Sequence, residues 1–268
     1  MPDMKAAIDE ALRLAEEAVH DGAQFLFLPE YCGGLVSDGP ALVPPAGPEE
    51  SHLFLKTFRD FARSNNVWVM IGSIAVNGPD GKIRNRGFVL DDQGDVQSRY
   101  DKIHMFDIQL SDTEVFRESA NVAPGNEGVC VNTPFGMIGH TICYDLRFAH
   151  LYRILAQAGA DILAIPAAFV KETGEAHWHV LNRARAIENG AFVIAPCAIG
   201  EIPGGGISYG HSLVVNPWGE VIADGGDRPG IVSTTIDLEQ VASARARIPN
   251  LHHDRPFGQP GKQVSRAS

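Results

Sequence analysis

The sequence predicts an α/β protein with sheets buried on both faces, and three observations carry that prediction. Helical and strand-like periodicities alternate along the chain. The runs Gln24 to Leu28 and Ile162 to Ile165 are too continuously apolar for strands with one wet face. Residues 137 to 165 read as strand, helix and strand in succession.

The elements follow in order. Ile8, Leu12, Ala15 and Val19 recur at helical spacing with Asp9, Arg13, Glu16 and Glu17 between them, so the chain opens with an amphipathic helix that Gly22 stops. The run Gln24 to Leu28 is a buried strand that delivers Pro29 and Glu30 at its end. A Gly/Pro-rich loop (Gly33 to Pro48) leads to a helix with Leu53, Phe54, Phe58 and Phe61 on one side. Turn signals at Asn77-Gly78-Pro79-Asp80-Gly81 and Asp92-Gln93-Gly94-Asp95 divide residues 67 to 102 into three antiparallel strands, which places Lys102 just past a strand.

The strand Met137 to Ile142 then runs into Cys143, a helix through Leu151 and Leu155, Gly159, and the strand Ile162 to Ile165, which together form a β-α-β unit. A helix (Ala176 to Glu188), a strand (Phe192 to Ala195), a hairpin around Asn216-Pro217-Trp218-Gly219 and a strand Ile231 to Ile236 complete the pattern. No repeat, low-complexity tract or linker interrupts it. One domain over residues 1–268 is expected, with an extended, poorly packed tail from about 249.

Composition narrows the function. With 268 residues and 44% hydrophobic content the chain can bury a sizeable core. Its 22 basic and 33 acidic residues give a net charge of −11 and a pI near 5.3, which disfavours nucleic acid and anionic membranes as partners. No apolar run is long enough to span a bilayer, and the first twenty residues lack a signal-peptide core, so a cytoplasmic location is expected. Cys32, Cys130, Cys143 and Cys197 form no CxxC pair, which argues against a zinc knuckle or disulfide framework and for any important cysteine acting as a thiol.

Cys143 stands where a short apolar strand meets a helix, so a helix N-terminus can stabilise a thiolate there; the alternative is a buried cysteine packing as a small hydrophobe. Glu30 ends an apolar strand, where a carboxylate is costly to bury unless paired, or else is a solvated strand end. Lys102 alone reads equally as one charge in a surface turn.

The segments that carry these residues settle the matter together. Phe27-Leu28-Pro29-Glu30, Tyr100-Asp101-Lys102-Ile103-His104 and Ile142-Cys143-Tyr144-Asp145-Leu146-Arg147-Phe148 resemble, in order and spacing, the three signature segments of the nitrilase superfamily of carbon-nitrogen hydrolases. The likeness continues through Gly174 to Asn189 and from Gly210-His211-Ser212 to Trp218-Gly219. It implies a four-layer α-β-β-α sandwich and a Glu-Lys-Cys triad without a cofactor or catalytic metal. By the same resemblance Glu30 is the general base, Cys143 the nucleophile, and Lys102 the oxyanion donor, assisted by the backbone N–H of Tyr144.

Glu118, in Phe116-Arg117-Glu118-Ser119, matches a second glutamate of many members and would position substrate or hold Lys102 charged; Glu114 lacks that context. The residues after Cys143 resemble the ω-amidase and deaminated-glutathione amidase branches, which implies a small carboxylate-bearing amide and water as reactants. Arg147 would hold the substrate carboxylate, or else make a structural salt bridge to an acidic partner. A carbamoylase or nitrile hydrolase with the same triad, and a non-catalytic binding protein on the same fold, are the alternatives.

His177 and His179 are read as packing or pocket lining, since no third ligand has motif spacing, and His140 is a poor general base. Arg183, Arg185 and Glu188 should pair along their helix. Family members usually open with an apolar strand before the first helix, whereas this sequence begins almost in the helix, so a native N-terminal strand is expected upstream. Family members commonly associate, so a homo-oligomer is expected.

Overall fold

The structure, a computed structural model, describes residues 3–112 and 114–258. The first helix, α1 (Met4–His20), is capped by Asp3, whose side chain accepts the Ala6 N–H at 2.8 Å. Together with α2 (Leu53–Asn65), it packs on a five-stranded sheet built from β1 (Phe25–Phe27), β2 (Trp68–Asn77), β3 (Ile83–Leu90) and β4 (Val96–Asp101), with the short strand Ala46–Gly47 added beside β2. The pair β1 and β2 is parallel, and β2, β3 and β4 form the antiparallel run expected from the two turn signals.

The second sheet runs in the order β5 (Cys130–Thr133), β6 (Gly136–His140), β7 (Ile162–Ala164), β8 (Phe192–Ala195), β9 (Leu213–Val215) and β10 (Val221–Asp224). Strands β6, β7 and β8 are parallel, joined by the crossover helices α3 (Ala149–Gln157) and α4 (Lys171–Asn189).

Alternation along the strands shows how the layers stack. Val69, Ile71, Phe88 and Leu90 face α1 and α2, where Phe54 and Phe58 stack at 4.7 Å, whereas Met70 and Val89 point the other way and meet Ile138, Ile162, Ala164 and Phe192 of the second sheet. Leu163 and Val193, one residue out of step, face α3 and α4 with Leu151, Leu155 and Trp178. The result is helix, sheet, sheet, helix: the four-layer α-β-β-α sandwich.

His140 lies between the two sheets, with its Nε2 2.8 Å from the Ser98 hydroxyl oxygen and its ring beside Tyr100. Burial lowers its pKa from 6.5 to about 4. Between those values the unfolded chain binds a proton that the folded chain refuses, so stability is full above pH 6.5 and falls by up to about 3 kcal/mol on acidification to pH 4. Urea titrations at several pH values should show this slope in the wild type and a flatter one in His140→Gln; equal slopes would refute the assignment.

Two segments differ from the sequence expectation. Residues 231–236 form no strand, because a strand needs a neighbouring edge to pair with and these residues are mostly exposed, with only Val232 and Ile236 part-covered. The tail is docked rather than loose as far as Asp254: Leu251 is buried, Gln157 donates to the Leu251 carbonyl and the Asp254 carboxylate, and Arg153 binds Asn250 and Asp254. Among the described residues β1 pairs on one side only, leaving a sheet edge, and no helix is long and apolar enough to cross a membrane.

Candidate active site

The site forms where three strand ends converge. Beyond β1 the chain keeps to the side of β2: the Leu28 N–H donates to the Met70 carbonyl (2.9 Å), and Pro29 accepts from the Ser73 N–H (3.3 Å). Tyr31 then adopts a left-handed backbone (φ 49°) with its N–H on the Ser73 hydroxyl at 2.9 Å, which turns Glu30 into the interior.

Gly72 makes this approach feasible, because a Cβ there would lie 2.1 Å from the Leu28 carbonyl oxygen, 2.4 Å from that of Pro29 and 2.5 Å from the Pro166 side chain. Gly72→Ala should cost more than about 3 kcal/mol and displace Glu30. Thermal melting and turnover test this, and a variant with wild-type stability and rate would contradict it.

Cys143 follows β6 at the first position of a short 3-10 turn, Cys143–Arg147, and is also left-handed (φ 49°), the strained strand-to-helix geometry of a nucleophile elbow. Its N–H donates to the Pro166 carbonyl at 2.9 Å. The buried Asp145 ties this turn to the segment that carries Lys102. One carboxylate oxygen accepts the Ile142 N–H (2.9 Å) and the Tyr100 hydroxyl (2.7 Å); the other accepts the His104 N–H (3.0 Å) and lies 2.7 Å from His104 Nδ1. Arg185 closes the turn with two bonds to the Leu146 carbonyl.

The charged groups meet in the space between. Lys102 Nζ lies 2.9 Å from Glu30 Oε1 and 2.9 Å from Glu118 Oε2, all three residues being buried. The Asn85 amide donates to Glu30 Oε1 (2.8 Å) and to Glu118 Oε1 (3.3 Å), and so separates two like charges. The remaining Glu30 oxygen accepts the Ala168 N–H at 2.9 Å, and Glu118 Oε2 accepts the Phe106 N–H at 2.7 Å.

Burial alone would depress the Lys102 ammonium, but Glu118 and Glu30 outweigh it and hold the pKa well above its ordinary value. Burial pushes the Glu118 carboxyl up; Lys102 pulls it back and Glu30 pushes it up again, with a net upward shift. Burial and then the Glu30 charge also push the Cys143 thiol well up, against the pull of Lys102. The thiolate expected from a helix N-terminus is therefore corrected: a five-residue turn in a buried, carboxylate-flanked position keeps the resting sulfur protonated.

The cavity, about 50 Å3, is lined by Glu30, Lys102, Glu118, Cys143 and Tyr144, with Tyr31, Phe106, Phe116 and Phe169 as apolar walls. The structure thus brings together four of the six residues singled out in the sequence, with Tyr144 beside them. Arg147 is not among the lining residues; its guanidinium lies over the rings of two that are, Tyr144 and Phe169 (5.8 and 5.5 Å), and near His177 Nδ1 (3.3 Å). Among the described residues Arg147 has no carboxylate partner, so the structural salt bridge is not what holds it.

Glu114 lies in the turn before Glu118, outside the cavity lining. Arg185 pairs with Glu188 at 2.8 Å, as its spacing suggests, while Arg183 instead donates to the Gly219 carbonyl. Sequence reasoning missed Asn85, Asp145 and the Ala168 and Phe106 amides. Only Asn85, a polar residue at an inward strand position, carried a signal that could have revealed it.

Comparison with known proteins bears on the family and the fold. The family model described as carbon-nitrogen hydrolase matches residues 1–246. A deaminated glutathione amidase of Synechocystis sp. (strain PCC 6803 / GT-S) is 35% identical over 94% of this chain and 93% of its own length. The crystal structure of the C. elegans NitFhit protein superposes with a TM-score of 0.85 at 31% identity, over 94% of this chain and 62% of that longer one. Saccharomyces cerevisiae Nit3, a member of branch 10 of the nitrilase superfamily, matches with a TM-score of 0.81 at 27% identity, over 93% of this chain and 90% of its own. A match of this extent in both sequence and architecture leaves one assignment: the chain belongs to the carbon-nitrogen hydrolase family, whose members are enzymes that hydrolyse C–N bonds.

Proposed function

We propose that this enzyme hydrolyses a small, carboxylate-bearing linear amide through a thioester on Cys143. The observation that carries this reading is the buried cavity in which the Glu30 carboxyl group, the Lys102 amine and the Cys143 sulfur face one another. Glu30 accepts the thiol proton as Sγ attacks the amide carbonyl. The Lys102 ammonium and the Tyr144 N–H, near the start of a helical turn where amides lack helical partners, hold the oxyanion. Glu30 passes the proton to the leaving nitrogen, the C–N bond breaks, and ammonia or an amine departs from the thioester. Glu30 then deprotonates a water that attacks the thioester, and the thiol recovers its proton as the acid leaves.

Glu118 completes the charge balance by keeping Lys102 protonated, and it contributes a wall next to the reacting carbonyl. Arg147, free of carboxylates among the described residues and held over two cavity-lining rings, is suited to receive a substrate carboxylate through a bidentate contact. The relatives named deaminated glutathione amidase support the same substrate class. Self-association and a cytoplasmic location belong to the same proposal. Ile154 on α3 and Val180 and Ile187 on α4 leave apolar side chains in solvent, the kind of surface a second copy would cover.

A screen of deaminated glutathione, 2-oxoglutaramate, N-carbamoyl amino acids and nitriles tests the reading. Ammonia or amine release from the ω-amides without carbon dioxide, and its loss in Glu30→Gln, is the expected result. Preferential turnover of a carbamoyl compound or a nitrile would overturn the substrate class, and turnover retained in Glu30→Gln would overturn the base.

A further inference from the structure

His177-Trp178-His179 offers two histidines without a neighbouring third ligand in the sequence, yet the fold brings two more ligand groups to one of them. His179 Nε2 lies 3.0 Å from Asp224 Oδ2, and His211 Nδ1 lies 2.9 Å from Asp224 Oδ1. The three ligand atoms all fall within 4.8 Å of one another. They come from α4, from the connection before β9 and from the last residue of β10, three separate stretches of the chain.

The arrangement is anchored in ways that a chance surface contact would not need. His211 has a left-handed backbone (φ 54°), and its carbonyl accepts the indole N–H of the fully buried Trp178 at 2.7 Å. Its ring stacks on Tyr209 with centroids 4.5 Å apart. The Gly226 N–H donates to Asp224 Oδ1 at 2.8 Å and orients the carboxylate, the kind of outer support that ligating carboxylates receive.

We propose that His179, His211 and Asp224 bind one borderline divalent transition-metal ion, with zinc as the fitting probe, at a site separate from the cavity of Glu30, Lys102 and Cys143. Two imidazole nitrogens and one carboxylate oxygen are a donor set that such ions favour over calcium or magnesium. Metal–ligand bonds of about 2.0–2.1 Å put tetrahedral ligands about 3.3 Å apart, which the separations of His179 Nε2 (3.0 Å) and His211 Nδ1 (3.2 Å) from the one oxygen Asp224 Oδ2 fit. The third separation, between the two histidine nitrogens, is at most 4.8 Å. Each imidazole presents its lone pair by carrying its proton on the other nitrogen. All three side chains are a quarter to a third exposed, which leaves the outer positions to water.

The consequence is a cross-link between α4, the segment before β9 and β10. That region backs the cavity wall: the Tyr209 N–H donates to the Phe169 carbonyl at 2.8 Å, and Phe169 packs on Trp178. Metal binding should therefore raise thermal stability while the hydrolytic groups remain untouched.

The experiment is zinc titration of the full chain against a chromophoric chelator, followed by thermal melting. The wild type should bind one ion saturably and melt at a higher temperature with zinc. His179→Gln on α4 and Asp224→Asn at the end of β10, both surface positions, should each weaken binding at least about tenfold and lose the stabilisation, while retaining hydrolysis. Cys143→Ala should bind as the wild type does. Absence of saturable binding, binding undiminished in both surface variants, or binding lost only in Cys143→Ala would each overturn the site.

Discussion

Cys143→Ala is expected to eliminate turnover while leaving the fold in place. In the proposed chemistry the thiol forms the bond to the substrate carbon, and no second nucleophile stands in for it at that position. The structural cost is small: the side chain loses one buried sulfur, alanine tolerates φ 49° no worse than cysteine does, and the turn stays clamped by Asp145 and Arg185. A loss on the order of 1 kcal/mol in stability is anticipated. Product assays on the purified variant, run beside a melting curve, separate the two effects. Ammonia release within tenfold of the wild type would remove Cys143 from the mechanism.

Lys102→Ala should be nearly as damaging, and for two reasons that a single assay would confuse. Loss of an oxyanion donor raises the barrier by about 3 kcal/mol or more, equivalent to a fall of roughly 10²- to 10³-fold in kcat. In addition, the substitution leaves Glu30 and Glu118 buried at close quarters without their shared cation, and breaking a buried pair in this way costs about 3–5 kcal/mol of stability. One carboxyl would then take up a proton, which also weakens the base.

The double variant Lys102→Ala/Glu118→Gln separates the contributions. It should recover much of the stability by removing one buried charge, yet recover little of the rate. Lys102→Arg does not restore activity either, because the longer planar cation does not fit between two carboxylates that each hold the ammonium at 2.9 Å. Lys102→Ala with kcat within tenfold of the wild type would show that the ammonium does not stabilise the transition state.

Much of this site was legible because its key residues terminate strands. Periodicity places Glu30 and Cys143 at the ends of apolar runs and turn signals place Lys102 just past a strand, while the resemblance of their flanking segments implies the proposed roles. The four layers were expected from the resemblance; continuous apolar runs such as Ile162 to Ile165 called only for cover on both faces, which the structure provides with α3 and α4 on one side and the first sheet on the other.

What stayed hidden was fixed by tertiary contact rather than local pattern. Backbone amides such as that of Ala168 carry no side-chain signature, and Asp145 shows its role only once the end of β4 packs against the nucleophile turn. Residues 231–236 are rich in β-branched side chains as a strand should be, but pairing depends on an available edge, which lies outside the segment's own sequence. His179, His211 and Asp224 are separated by up to 45 positions, and only the packing of α4 on β9 and β10 joins them.

The central proposition is that the carbonyl carbon of an amide becomes bonded to the Cys143 sulfur during turnover. Intact-mass analysis of enzyme quenched with acid while it consumes an ω-amide tests it directly, followed by peptide mapping. The account predicts a mass gain equal to the acyl group, located on the peptide containing Cys143 and discharged once substrate is exhausted. Steady product release with no acyl adduct on that cysteine, together with undiminished release by Cys143→Ala, would contradict it.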